Sequence, residues 1–241
     1  MLPKEFNPKF NYDLLRIGRN NDGGYLVEKN SIKNSKTLIS FGIGSDWSFE
    51  ANFKSIVNVK IFAYDYTLDN YFWSQQPKDL FILFNNFFKN ENNNYFINKK
   101  ISKVGIKHHE SFSLEIADIL NGLEFNAEPP FFFKIDIEGS EYRILDDLVK
   151  YSNNIEGIVI EFHQADLHLE RIINFIKNIN LKLCHIHANN FENCDKFGVP
   201  TTLELTFSKN PSKLKGEFIS PHPLDQKNNS NNEEIAIKFS V

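Results

Sequence analysis

The run Phe131-Phe132-Phe133-Lys134-Ile135-Asp136-Ile137-Glu138-Gly139 constrains the fold more than any other stretch, because an apolar segment ends abruptly in two carboxylates and a glycine. It starts after Pro129-Pro130, which breaks the preceding element, and it reads as a strand over Phe131 to Ile135 buried on both faces. Strands of that kind lie at the centre of parallel sheets. Open α/β sheets take their ligands beyond the carboxyl ends of such strands, which makes Asp136 and Glu138 functional candidates.

The rest of the chain supplies partners for that strand. Beta-branched and aromatic runs alternate with amphipathic stretches, the pattern of βαβ units in a mostly parallel α/β sheet. Thr37 to Phe41 reads as the first strand, followed by the turn Gly42-Ile43-Gly44-Ser45-Asp46 and a helix over Trp47 to Val57. Val59 to Tyr64 reads as the second strand and ends at Asp65. Tyr71 to Phe96 reads as helical, Lys99 to Ile106 as a third strand and Ser113 to Leu123 as a helix. After the Phe131 strand come a helix over Glu141 to Tyr151, a strand over Ile155 to Phe162 and a helix over Leu167 to Ile179. Leu181 to Ile186 and Thr202 to Phe207 close the pattern as two strands.

At 241 residues, with no internal repeat and no interdomain linker, the chain is expected to form one domain over residues 1–241, with residues 1–36 as an N-terminal lid or side element. A net charge of −4 and a pI near 6.0 give no basic footprint for nucleic acid. Cys184 and Cys194 show neither disulfide-framework nor zinc-type spacing. Met1 to Asn11 lacks the apolar core of a signal peptide and no run is long enough for a membrane span, so a cytoplasmic protein is expected.

Three constellations carry chemistry. In the first, Gly42 and Gly44 let backbone approach a nucleotide-like ligand, and Asp65, about 20 residues on, holds the position that hydrogen-bonds ribose hydroxyls. A tight strand-to-helix connection is the bland reading of the glycines. The third glycine of a pyrophosphate turn is missing, with Trp47 and Ser48 in its region, which counts against a dinucleotide.

In the second, Asp136 and Glu138, Ile160-Glu161-Phe162-His163, and His185-Ile186-His187-Ala188-Asn189-Asn190 place polar groups at the ends of three strands. Asp136, Glu161 and His187 form a candidate site for Mg2+ or Mn2+, and His163 or His187 could equally act as a general base without metal. Of His185 and His187, one is expected to face the site, and His187 is chosen. Glu138 is read as supporting the following helix start, and Glu141 as a helix-capping acid.

The third is Arg16-Ile17-Gly18-Arg19-Asn20-Asn21-Asp22-Gly23-Gly24-Tyr25, in which Asp22, Gly23 and Gly24 form either a tight turn into a strand or a loop closing on a polar ligand. His108-His109-Glu110 is read as surface, and Tyr64, Tyr66, Tyr71, Phe72 and Trp73 as core in preference to an adenine stack.

The run Lys134-Ile135-Asp136-Ile137-Glu138-Gly139-Ser140-Glu141, followed by a Glu-Phe-His strand end, resembles the hallmark of the FkbM-type S-adenosylmethionine-dependent methyltransferases, over roughly Arg16 to Phe207. The pairing of Asp22-Gly23-Gly24-Tyr25 with His187-Ala188-Asn189-Asn190 is similar to sugar-modifying members, including ones encoded in bacterial surface-polysaccharide (capsule) clusters. The resemblance implies a class I methyltransferase (Rossmann-like) fold, α/β, with a seven-stranded mostly parallel sheet and helices on both faces. It implies S-adenosylmethionine held by Gly42, Gly44 and Asp65, with Asp22, Gly23 and Gly24 in the same set, and Asp136 beside the reacting hydroxyl. Phe41 departs from the pattern, since an acid commonly precedes the first glycine, and Ser40 and Asp46 are candidate substitutes.

The leading expectation is O-methylation of a sugar hydroxyl on a carbohydrate or sugar nucleotide, with His163 taking the proton and a divalent ion at Asp136, Glu161 and His187. A homodimer is kept as an open assembly. A nicotinamide-dependent sugar oxidoreductase, which would need the missing pyrophosphate turn, and a non-catalytic nucleotide- or sugar-binding module are the alternatives.

Overall fold

The computed structural model describes residues 1–101, 113–120 and 127–240. In chain order the strands are β1 (Leu14–Ile17), β2 (Tyr25–Glu28), β3 (Thr37–Phe41), β4 (Lys60–Tyr64), β5 (Asn94–Ile97), β6 (Lys100–Ile101), β7 (Ser113–Leu114), β8 (Phe131–Ile135), β9 (Ile155–Phe162), β10 (Lys182–Ala188) and β11 (Leu203–Ser208). The helices are α1 (Lys29–Lys33), α2 (Ser48–Ile56), α3 (Asn70–Ser74), α4 (Lys78–Phe87), α5 (Ile116–Leu120), α6 (Leu145–Lys150) and α7 (Leu169–Asn178).

Seven strands make one sheet in the order β10-β11-β9-β8-β3-β4-β5. The five from β9 to β5 run parallel, and β11 lies antiparallel to both β9 and β10. This is the strand order of the class I methyltransferase fold, with the reversed strand one in from the edge. The chain fills one half outward from β3 and then the other from β8, which puts the switch point between those two strands.

Alternation along each strand sorts side chains onto two cores. Ile39, Phe41, Phe131, Phe133, Ile135, Ile158 and Ile160 pack with α5, α6 and α7. Leu38, Ile61, Phe132 and Val159 pack with α1, α2 and the β1–β2 hairpin on the other side. Phe131, Phe132 and Phe133 are all fully buried, each contributing about 1.5–3 kcal/mol of transfer free energy. The phenylalanine run is therefore a central strand, as its pattern requires.

The hairpin is a fixed cover. Tyr25, Leu26 and Val27 are buried, and the Thr206 hydroxyl of β11 donates to Leu26 O at 2.5 Å. Among the described residues no helix is long and apolar enough to cross a membrane.

Three expectations shift, the first being the helix over Ser113 to Leu123: Ser113–Leu114 is strand β7, and α5 runs over Ile116–Leu120. The third strand of the sheet is β5, not 99–106: a turn at Asn90–Asn92 with Asn93 in a left-handed conformation ends the helical stretch early, and Asn94-Tyr95-Phe96-Ile97 takes the edge. Lys100–Ile101 instead pairs with β7, while 102–106 lie outside the described residues. The helix expected from Glu141 begins as a 3-10 turn at Glu141–Arg143 and becomes α-helical only at Leu145, for a reason that lies in the site.

Candidate active site

Gly42 follows β3 and Asp136 follows β8, so the switch point brings them together, and Asp136 N donates to Phe41 O at 3.0 Å. A Cβ on Gly42 would lie 1.6 Å from Asp136 O, and its φ of +72° is left-handed, so glycine is required for these two strand ends to pass. Gly44 differs. Its φ is +55° and a Cβ there would meet nothing within 4 Å. It stands on the wall of a cavity of about 420 Å³ that runs from the Gly42–Asp46 turn and Asp65 to Asp136 and Glu138.

Asp65 ties this wall together. Its Oδ2 accepts from Gly44 N at 2.9 Å, and its Oδ1 accepts from Thr67 N and Oγ1 at 2.8 and 2.6 Å. A carboxylate offers about four lone-pair sites, so one acceptor position remains for a ligand hydroxyl.

From the N-terminal turn, Asp22 and Gly23 line the cavity, and Arg19 Nε pairs with Asp46 Oδ2 at 3.1 Å. Gly24 is not on the wall: a Cβ there would lie 2.0 Å from Arg19 O and 2.7 Å from the Arg16 guanidinium, so it serves the turn.

The two candidates for the acid missing before Gly42 are already engaged, Asp46 with Arg19 and the Ser40 hydroxyl with Glu50. Glu50, on α2, is the carboxylate that sequence reasoning passed over. It borders the cavity, its Oε2 has no hydrogen-bond partner among the described residues, and burial pushes its pKa up against the pull of Lys134 and Ser40. Its place in an amphipathic helix hides it, because the side chain turns inward among apolar neighbours. Tyr64 and Tyr66 both border the cavity, Tyr66 with Lys100 over its ring and Tyr64 packed into the core as well.

Beyond Asp136 lies a second group. Tyr25 OH reaches Asp136 Oδ2 at 3.2 Å and Glu161 Oε2 at 3.0 Å, and Asn189 Nδ2 donates to Glu161 Oε1 at 2.9 Å. Lys134 Nζ donates to Gly42 O and pairs with Asp136 Oδ2 at 3.4 Å. His163 Nε2 lies 4.0 Å from Asp136 Oδ1, 3.8 Å from Glu161 Oε1 and 3.4 Å from Glu138 Oε2.

His163 Nδ1 is held at 3.0 Å by Glu141 Oε1, which also accepts from the amides of Ile137 at 3.0 Å and Gly139 at 3.2 Å. Glu141 is fully buried, so it is the fixture of the site and not a helix-capping acid; holding its carboxylate among these donors is why the helix starts as a tight turn. Glu138, with φ +52° and a side chain 85% exposed, projects from the same bend.

Burial raises the Glu161 pKa well above the carboxylate range, with Asp136 and Glu204 adding repulsion. Burial would lower that of His163, but the Glu141 hydrogen bond and the charges of Glu141, Glu161 and Asp136 outweigh it and hold the imidazole up to about 9. Without a competing cation, His163 already carries its proton at neutral pH. That raised pKa weighs against the proton-accepting role expected of His163.

His187 is not in this group. Its Nδ1 meets Glu204 Oε2 at 3.1 Å and its Nε2 meets Glu234 Oε1 at 2.7 Å, which leaves no ring nitrogen for substrate or metal. Burial is outweighed by these carboxylates and its pKa stands at about 10. Residues two apart on a strand share a face, so the choice between His185 and His187 does not arise: His185 Nε2 is likewise fastened, to Asp225 at 2.8 Å. From that strand end it is Asn189 that reaches the cluster. His108-His109-Glu110 lies outside the described residues.

No protein-family model and no curated protein matches the sequence. Solved structures do. The chain is similar to a 23S rRNA methyltransferase, ErmE, at 12% identity and a TM-score of 0.42, covering 78% of this chain and 70% of that one. It is similar to a precorrin-6y C5,15-methyltransferase from Geobacter metallireducens at 13% identity and a TM-score of 0.38, over 75% and 85% of the two chains. An S-adenosylmethionine-dependent methyltransferase from Clostridium acetobutylicum matches at 11% identity and a TM-score of 0.39, over 75% and 86%. The strand order, read directly from the sheet, is what assigns the fold.

Proposed function

We propose that this protein is an S-adenosylmethionine-dependent O-methyltransferase acting on a sugar hydroxyl. The observation that carries the reading is one cavity bounded at one end by the Gly42–Gly44 turn and Asp65 and at the other by Asp136, at the switch point of a class I methyltransferase sheet. The residues present suit the cofactor: Gly44 leaves space on the wall, Asp65 keeps an acceptor position for a ribose hydroxyl, and Glu50 offers a carboxylate oxygen without a partner near the turn. Bound there, the cofactor supplies an electrophilic methyl group on a sulfonium.

The chain then has to orient an oxygen nucleophile and remove its proton, and positioning dominates such a step. Asp136 borders the cavity with Oδ1 free of hydrogen bonds among the described residues, while Oδ2 is fixed by Tyr25 and Lys134. It accepts the hydroxyl proton as the carbon–oxygen bond forms and the carbon–sulfur bond breaks. Lys134 Nζ, 3.4 Å from Asp136 Oδ2, and His163 Nε2, 4.0 Å from Asp136 Oδ1, hold the carboxylate in place for that task. A sugar acceptor is favoured by the polar character of this end, where Asp22, Asp136 and Glu138 all border the cavity and can take hydroxyl donors.

The resemblance of the Lys134–Glu141 run to FkbM-type enzymes points the same way and suggests a role in bacterial surface-polysaccharide synthesis. Incubation with methyl-labelled S-adenosylmethionine and a panel of sugar nucleotides and oligosaccharides tests the reading. Label should enter a base-stable ether on a sugar; label in amines or nucleic acid, with none in sugars, would overturn the acceptor class.

A further inference from the structure

The geometry points to a divalent-cation site formed by Asp136 Oδ1, Glu161 Oε1 and His163 Nε2, with the exposed Glu138 as a fourth ligand. One ligand atom from each of Asp136, Glu161 and His163 lies within 4.8 Å of the other two. In an octahedral shell with bonds of about 2.1 Å, neighbouring ligand atoms are about 3.0 Å apart and opposite ones about 4.2 Å. The separations of 3.4 to 4.0 Å from His163 Nε2 to the carboxylate oxygens fall inside that span. Small side-chain shifts close the shell.

The supporting contacts are those of a metal-binding histidine. Among the described residues the one hydrogen bond of the His163 ring is from Nδ1 to Glu141, and Nε2 faces three carboxylates without a hydrogen bond to any. A histidine ligand to metal regularly gives its other N–H to a carboxylate, which fixes the tautomer and aims the free nitrogen. Glu141 is fully buried and among the described residues its Oε2 has no hydrogen-bond partner, a costly arrangement if its only purpose were to start a helix. Glu161 is similarly oriented through Tyr25 and Asn189. One imidazole with two or three carboxylate oxygens and no thiolate suits Mn2+ better than the all-oxygen preference of Mg2+.

The ion borders the cavity through Asp136 and Glu138, so its open positions suit two neighbouring oxygens of a vicinal diol. That use of the ion rests on the methyltransferase reading, whereas the site itself does not. His163 Nε2 then carries either a proton or the metal.

The test is a Mn2+ titration of chelator-treated full-length protein followed by electron paramagnetic resonance, with no methyl donor present. One site is expected. Glu161→Gln and His163→Gln should each abolish it, and Glu141→Gln, which keeps the shape of the fixture, should weaken it roughly 10–100-fold. Circular dichroism confirms folding of each variant, and Glu141→Gln is the isosteric check if the other two unfold. Absence of a site in the wild-type protein, or Mn2+ binding indifferent to Glu161→Gln and His163→Gln in folded protein, overturns the proposal and leaves the cluster as an ion-paired histidine. If the methyltransferase reading alone fails, S-adenosylmethionine does not bind and the Mn2+ titration is unchanged.

Discussion

Gly42 and Gly44 are two residues apart, yet alanine should do opposite things at them. At Gly42 the new Cβ would fall 1.6 Å from Asp136 O and 2.7 Å from Asp136 C, and backbone cannot swing away as a flexible side chain can. The left-handed φ adds about 1 kcal/mol and the forced shift of a packed strand end about 1–3 kcal/mol, for a total of about 2–4 kcal/mol. With an unfolding entropy of about 2.1 cal/mol/K per residue over 241 residues, that lowers Tm by about 4–8 °C. Gly42→Ala should also displace Asp136 and slow transfer.

At Gly44 only the backbone term of about 1 kcal/mol remains, so Tm falls by about 2 °C. The methyl group, however, stands on the cavity wall. An overlap costing about 1.4 kcal/mol or more weakens S-adenosylmethionine at least ~10-fold. Thermal melts and isothermal calorimetry separate the two effects. Equal Tm losses for both variants, or undiminished cofactor affinity in Gly44→Ala, would refute the assignment of one glycine to packing and the other to the cavity.

Three further outcomes follow from the same geometry. Glu50→Gln keeps the Ser40 contact but replaces the free carboxylate oxygen beside the turn with an amide, and calorimetry should show cofactor affinity lowered by about 1–3 kcal/mol, since that acceptor is lost, while the fold melts unchanged. Asp136→Asn should bind cofactor normally and lose roughly 10²–10⁴-fold in kcat, measured by label transfer; an unimpaired kcat would remove Asp136 as the base. His187, with its pKa raised from an unfolded value near 6.5 to about 10, contributes stability that is complete below about pH 6.5 and is lost as pH rises toward about 10. The Tm gap between wild type and His187→Gln should therefore shrink across that window, and a gap independent of pH would show that the Glu204 and Glu234 contacts do not depend on the imidazolium.

The central strands were legible because burial on both faces leaves a continuous apolar run, as in Phe131 to Ile135, and because glycine and acid mark where such a strand ends. The third strand was displaced because Asn-Tyr-Phe-Ile is short and follows an asparagine-rich turn that lacks a hydrophobic period. Asp136, Glu161 and His163 were singled out at strand ends, and the structure brings these three together. His187 was misassigned because its partners lie 17 and 47 residues away, and nothing in local pattern shows that β11 takes one ring nitrogen and a C-terminal segment the other. Glu141 and Tyr25 were undervalued for a related reason: an acid at a helix start and an aromatic in a hairpin have sufficient ordinary explanations, and only the three-dimensional meeting at His163 and Glu161 gives them another.

The central claim is that the cavity between Gly44 and Asp136 holds S-adenosylmethionine. Calorimetric titration of the wild-type protein tests it most directly: a single site is predicted, competed by S-adenosylhomocysteine and weakened by Gly44→Ala. No binding at millimolar cofactor, or binding insensitive to Gly44→Ala, would contradict it.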